Sequence, residues 1–161
     1  MNIRTLVYCF DQDKVLLGRK KRGFALGKLN GYGGGKEDYD LSIEDTAKRE
    51  LLEESSIECD KNNLEKVAEI EFFYIDVPKE KNWDQIVHIY FLKKWSGIAK
   101  ETEEMSPEWH ETNNLPYEKM WVDDSVWLPL ILQGHKIKAS FTLINKGEAI
   151  GRYTLNYVNE F

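Results

Sequence analysis

Three glycines and a lysine, Gly33-Gly34-Gly35-Lys36, followed closely by the acidic run Ser42–Ser55, constrain this chain more than any other stretch. At about 100° per residue, Ile43, Ala47, Glu50 and Glu54 share one stripe of a helix, with Leu51 beside it. Ile43, Ala47 and Leu51 suit a stripe that faces a core, but two carboxylates in line with them do not. Glu50 and Glu54 stand at i and i+4, where like charges repel by roughly 0.2–0.5 kcal/mol even in water. Glu53 lies on the flank, so three carboxylates can converge on one point. Hard divalent cations take oxygen ligands of this kind, and the pattern predicts a Mg2+ or Mn2+ site. Acidic helix faces are more often merely solvated, but the stripe and the glycine run argue against that here. Ser42 followed by Asp45 predicts a capping box that fixes the helix start. The glycines let backbone approach a ligand without side-chain interference.

The stretch resembles the Nudix box, G-x5-E-x7-R-E-U-x-E-E-x-G-U with U aliphatic. Gly35, Arg49, Glu50, Leu51, Glu53, Glu54 and Ile57 fall in its register. Leu41 stands where the box has its first Glu, and Ser56 where it has its late Gly. Counting from Gly34 instead places Asp40 in the acidic position, with one extra residue before Arg49. In the family that acid pairs with the arginine and braces the loop, a role open to Asp40 or Glu37. The resemblance implies that Glu50, Glu53 and Glu54 hold Mg2+ (or Mn2+) with a backbone carbonyl from Gly35 or Lys36. It gives Arg49 the task of bracing the glutamates.

The chain has 161 residues, 42% of them hydrophobic and 12% aromatic, which predicts one globular domain over 1–161. No apolar run approaches the roughly 20 residues of a membrane span. The start, MNIRTLVYCF, lacks a long apolar region with a small-residue cleavage site. The expectation is a cytoplasmic monomer without membrane contact. Cys9 and Cys59 are expected as reduced thiols, with a disulfide between them left open by sequence. A net charge of −6 argues against a nucleic acid polymer as partner. It permits a small anionic nucleotide, because a bound metal and a few lysines reverse the field within one cleft.

Thr5–Phe10 and Lys14–Arg19 read as a hairpin turning through Asp11-Gln12-Asp13. The basic, glycine-rich stretch from Lys20 to Tyr32 suits a phosphate cradle, or else an ordinary surface loop. Leu64–Val77 and Gln85–Trp95 read as strands around a charged loop, and the second, apolar on both faces, as a central strand. His88 within it reads as a core residue. Glu101–Pro107 taken alone is a solvated acidic loop. Lys136–Ile144 and Ile150–Val158 read as two further strands.

In Trp121-Val122-Asp123-Asp124-Ser125-Val126-Trp127, two aromatics flank two adjacent acids ahead of an apolar helical run. An indole face stacks a base at about 1–3 kcal/mol. A carboxylate pair can read a purine's donor edge while one member keeps a proton to donate in return. Asp123 or Asp124 would also cap the following helix well.

The resemblance extends along nearly the whole chain to the Nudix members that hydrolyse oxidised purine nucleoside triphosphates. It runs through Val15–Phe24, Asn30–Gly34, IEDTAKRELLEES, Glu104-Met105 and MWVDDSVWLPLIL. It implies the α+β Nudix fold, a mixed β-sheet in an α/β/α sandwich. It also implies Mg2+-dependent cleavage of nucleotides such as 8-oxo-dGTP to the monophosphate and pyrophosphate. Asn30, Asp123 and Asp124 would contact the base and Trp121 would stack on it. Phe24, Thr5 and Met105 would shape the pocket, with Lys20 near the substrate's polar side. Glu104, with Glu103 second, would serve as the acid from a distant loop, either as metal ligand or to activate water. Either Glu54 or Glu104 would take the water's proton. One extra residue lies between Gly33 and Leu41, and Leu29 stands where those relatives have Trp, so substrate preference is open. The alternatives are a Nudix hydrolase of another nucleoside diphosphate derivative, and a non-catalytic nucleotide-binding module with a decayed box.

Overall fold

The N-terminal hairpin forms where the alternation placed it. In the computed structural model, which describes residues 1–161, β1 (Asn2–Asp11) pairs antiparallel with β2 (Lys14–Lys20). The turn passes through Gln12 at φ 54°. Beyond β1 the sheet continues through β5 (Gln85–Leu92, parallel), β4 (Leu64–Tyr74, antiparallel), β7 (Lys136–Ile144, parallel) and β8 (Ala149–Val158, antiparallel). On its other side β2 carries the short β3 (Leu29–Asn30) and β6 (Met105–Glu111), both antiparallel. The sheet is therefore mixed.

Alternation along β1 and β5 feeds two cores. Leu6, Tyr8, Ile89 and Phe91 point to one face, where α2 (Asp124–Leu132) lays Trp127, Leu128 and Ile131 against them. Val7, Cys9, Tyr90 and Leu92 point to the other, under Ala47 and Leu51 of α1 (Ile43–Ser55). Helices on both faces explain why β5 is apolar throughout. Cys9 and Cys59 are free thiols inside the second core. Burial, with the neighbouring Cys59, pushes the Cys9 thiol up to about 12.

The start of α1 follows its sequence signal. The Ser42 hydroxyl accepts the Asp45 N–H at 3.1 Å and donates to the Asp45 carboxylate at 2.9 Å, which closes the capping box. The helix ends on Ser56, left-handed at φ 68°, whose N–H reaches Leu52 O at 2.9 Å. A glycine would sit there without the Cβ penalty.

Three expectations need correction. β4 stops at Tyr74 rather than Val77, where the Tyr74 N–H turns to the Asp84 carboxylate at 2.9 Å. β5 stops at Leu92 rather than Trp95, because Lys93 and Lys94 are exposed. Met105–Glu111 belongs to a strand rather than to a loop. Its pairing partner is β2 alone, and an edge position of that kind accommodates Pro107.

Candidate active site

Between α1, the glycine run, the 21–28 loop and the start of α2 lies a cleft of about 1030 Å³. Its floor exists because two glycines leave no room for side chains. A Cβ on Gly33 would lie 1.8 Å from the Thr5 carbonyl oxygen, and one on Gly34 would lie 2.3 Å from the Glu50 carboxyl carbon. The Thr5 N–H donates to Gly34 O at 2.9 Å, locking the glycine run to β1.

Arg49 organises the acidic end. Its Nε donates to Asp40 Oδ1 at 3.0 Å and its Nη2 to Asp40 Oδ2 at 2.8 Å, a two-point clasp on a buried carboxylate. Those bonds hold the Asp40 carboxyl well below the usual carboxylate range. Asp40 thus fills the acidic place of the box, while Leu41 is 94% exposed. The same guanidinium reaches Gly35 O at 3.0 Å, Glu50 Oε1 at 3.0 Å and Glu53 Oε2 at 3.4 Å. It braces the site and does not line the cleft.

Glu50, Glu53 and Glu54 all line the cleft. The Glu50 and Glu54 carboxyls meet each other, but no three acids converge as the helical wheel suggested. Glu50 and Glu53 turn instead toward Arg49, which supplies the nearest positive charge. Burial, with the Glu50 and Glu104 charges adding to it, pushes the Glu54 carboxyl up to about 8, and the Lys20 ammonium opposes that rise. Burial also raises Glu50. Hard oxygen donors sharing a helical turn over a side-chain-free floor fit a divalent ion. Gly35 lines the cleft while Lys36 does not, and the Lys36 ammonium reaches the Glu37 and Asp40 carbonyls at 3.4 and 3.1 Å.

Glu104 enters from the lead-in to β6 and lines the cleft with Glu103. Arg22 holds both, at 3.2 Å to Glu104 and 3.4 Å to Glu103. Thr102 anchors that lead-in through its hydroxyl, which donates to Glu54 O at 3.2 Å.

The opposite end holds the acid pair. Asp123 and Asp124 are 4% and 2% exposed. The Trp127 indole N–H donates to Asp123 Oδ2 at 2.7 Å, and the Trp121 N–H donates to Asp124 Oδ2 at 3.1 Å. Asp123 makes no side-chain bond to the helix backbone, so the capping alternative fails for it; Asp124 closes a turn back onto Trp121. Burial pushes both carboxyls up, and the Asp123 charge pushes Asp124 further. Asn30, Thr5, Phe24, Met105 and Trp121 line the same cleft, and Lys20 lies toward the glutamates.

Sequence reasoning passed over Lys28, Trp83 and the bond from Trp127 to Asp123. The Lys28 ammonium lies 5.4 Å from the Trp121 ring and draws the Asp124 carboxyl down against its burial. The i, i+4 spacing of Asp123 and Trp127 could have revealed that bond. Nothing local marked Trp83.

Fold and site together define the class. The model of the NUDIX domain matches residues 2–131, and the chain belongs to the Nudix family. An oxidized purine nucleoside triphosphate hydrolase of Mus musculus is 40% identical over 157 residues, 98% of this chain and 96% of that protein. A protein of the same description from Danio rerio is 40% identical over 137 residues, 85% of this chain and 83% of its own length. In structure the chain is similar to a MutT protein from Bacillus halodurans, with a TM-score of 0.80 at 22% identity, covering 97% of this chain and 98% of that one. The α+β architecture is the Nudix fold, and the chain is a hydrolase of that family.

Proposed function

We propose that this chain hydrolyses oxidised purine nucleoside triphosphates such as 8-oxo-dGTP to the monophosphate and pyrophosphate. The observation that carries the reading is the buried pair Asp123 and Asp124 beside Trp121, in the same cleft as Glu50, Glu53 and Glu54. Burial raises both carboxyls, Asp124 the further, which favours a shared proton that lets the pair present a donor and an acceptor to a purine edge. Trp121 offers its face for stacking, and Asn30 adds an amide. Glu50, Glu53 and Glu54, with the Gly35 carbonyl, would hold Mg2+ or Mn2+. Such an ion neutralises polyphosphate charge and acidifies a bound water. Glu54 or Glu104 accepts the water's proton; Lys20 lies beside the phosphate path.

We expect the chain to act as a monomer on free nucleotides. The net charge of −6 supports a small ligand over a nucleic acid polymer, and no helix is long and apolar enough to cross a membrane. We place the activity in the cytoplasm on the reduced state of both cysteines. The test is pyrophosphate release with Mg2+ from 8-oxo-dGTP, dGTP, dATP and a nucleotide sugar. The expected result is a clear preference for 8-oxo-dGTP over dGTP. Equal rates for those two would reject the oxidised-purine assignment, and nucleotide binding without metal-dependent turnover would reject hydrolysis.

A further inference from the structure

Trp83 has no place in either apolar core. It stands on the loop before β5, half-buried, and lines the cleft. Its neighbours in sequence are pinned on both sides. The Asn2 side chain donates to Asn82 O at 2.6 Å, the Asn2 N–H donates to Asp84 O at 2.9 Å, and the Asp84 carboxylate holds the Tyr74 N–H. The Tyr74 ring meets the indole edge-on, centroids 5.4 Å apart at 87°. Flanked by pinned backbone and outside both cores, the indole offers the cleft a pre-organised flat surface.

In this structure the ring facing it is Phe24, 5.1 Å from Trp83 at 53° and 5.6 Å from Trp121 at 35°. Phe24 thus bridges the two indoles at the mouth of the cleft. It is 59% exposed and sits between three left-handed residues, Gly23 at φ 74°, Ala25 at φ 67° and Gly27 at φ 86°. The contrast is between a fixed indole and a phenyl ring on a strained surface loop. We infer that Trp83 is a specificity-determining residue, the second aromatic wall of the base pocket, which a flat bicyclic base reaches by displacing Phe24 from between the indoles. The inference deepens the purine reading above and rests on it. An indole face gives a two-ring purine more stacking overlap than a one-ring pyrimidine, so Trp83 favours purines while the acid pair reads the polar edge.

The experiment measures binding of a purine nucleoside monophosphate and of CMP to the full chain without metal, by calorimetry, for wild type, Trp83→Ala and Trp83→Phe. Purine affinity is expected to fall roughly tenfold in Trp83→Ala, the equivalent of losing about 1.4 kcal/mol of stacking. Trp83→Phe should recover most of that loss, and CMP binding should change less than purine binding. In turnover the loss should fall on KM rather than kcat. The melting temperature of each variant reports whether it is folded; if Trp83→Ala unfolds, Trp83→Phe against Trp83→Leu gives the same comparison of flat and non-flat walls. Wild-type purine affinity in Trp83→Ala, or an equal loss for CMP, would overturn the inference while leaving the hydrolase reading intact. Failure of the wild type to bind any purine nucleotide would overturn the purine reading itself.

Discussion

At one end of the cleft Glu50, Glu53 and Glu54 crowd onto a single helical turn; at the other Asp123 and Asp124 stand side by side at the start of α2. Both clusters set like charges against each other, and the protein resolves the conflict differently in each. At the helix the countercharge is external for Glu50 and Glu53, which turn to Arg49, while Lys20 only opposes the burial that raises Glu54. At the pair burial favours a proton, since both carboxyls are almost wholly buried and receive only neutral N–H donors, from Trp127 and Trp121. Residue type therefore does not decide the chemistry. Depth and the nature of the nearest donor decide whether a carboxylate becomes a ligand or a hydrogen-bonding acid.

The largest test of this contrast is Glu54→Gln. It should lower kcat by about 10²- to 10⁴-fold, read as pyrophosphate release, while the melting temperature holds or rises. Near-full metal-dependent activity in that variant would break the ligand assignment. Next comes Asp124→Asn, which keeps the shape but cannot share a proton. It should reduce kcat/KM for the preferred purine by about 10- to 100-fold and leave metal affinity, measured by calorimetry, unchanged. If metal affinity falls instead, the two ends are not separate.

Asp40→Asn should cost about 2–3 kcal/mol of unfolding free energy in urea, because Arg49 loses its charged clasp. Leu41→Glu, at a side chain out in solvent, should restore nothing. The pH dependence separates the clusters further. The Glu54 carboxyl lies near 8 in the fold against an ordinary 4.5, so the folded chain keeps a proton that the unfolded chain has released. Metal-free stability should therefore fall as pH rises from about 4.5 to 8, by up to about 1.4 kcal/mol per pH unit, and Glu54→Gln should flatten that slope. Added Mg2+ should stabilise most at the upper end, where the carboxylate is free. The smallest effect is Ser56→Gly, which relieves the left-handed end of α1 by about 0.5–1 kcal/mol in the same assay and leaves both clusters alone.

The acidic helix was legible because its capping residues, stripe and spacing are all local, and the family pattern reinforced them. The acid pair was legible as chemistry, but its start within α2 and its bond to Trp127 depend on how that helix packs. β6 was hidden because MSPEWHE has no clean alternation and contains a proline; its strand is imposed by β2. The resemblance left the metal's backbone ligand between Gly35 and Lys36, and of the two only Gly35 lines the cleft. Trp83 escaped notice because a charged loop gives no local sign that one of its residues faces a cleft formed by segments tens of positions away.

The ladder between β2 and β6 sets Lys20 opposite Met105, Gly18 opposite Pro107 and Lys14 opposite Glu111. A methyl carbon on Gly18 would lie 2.4 Å from the Met105 terminal carbon, so a side chain there would push that thioether aside. The segment joining β5 to Thr102 is pinned as well, by the Glu58–Ser96 bridge and by Lys100 N–H on Ser55 O, so Glu104 is set from both sides. One residue added inside Met105–Glu111 would swap which neighbour faces inward, sending the acid where the thioether belongs.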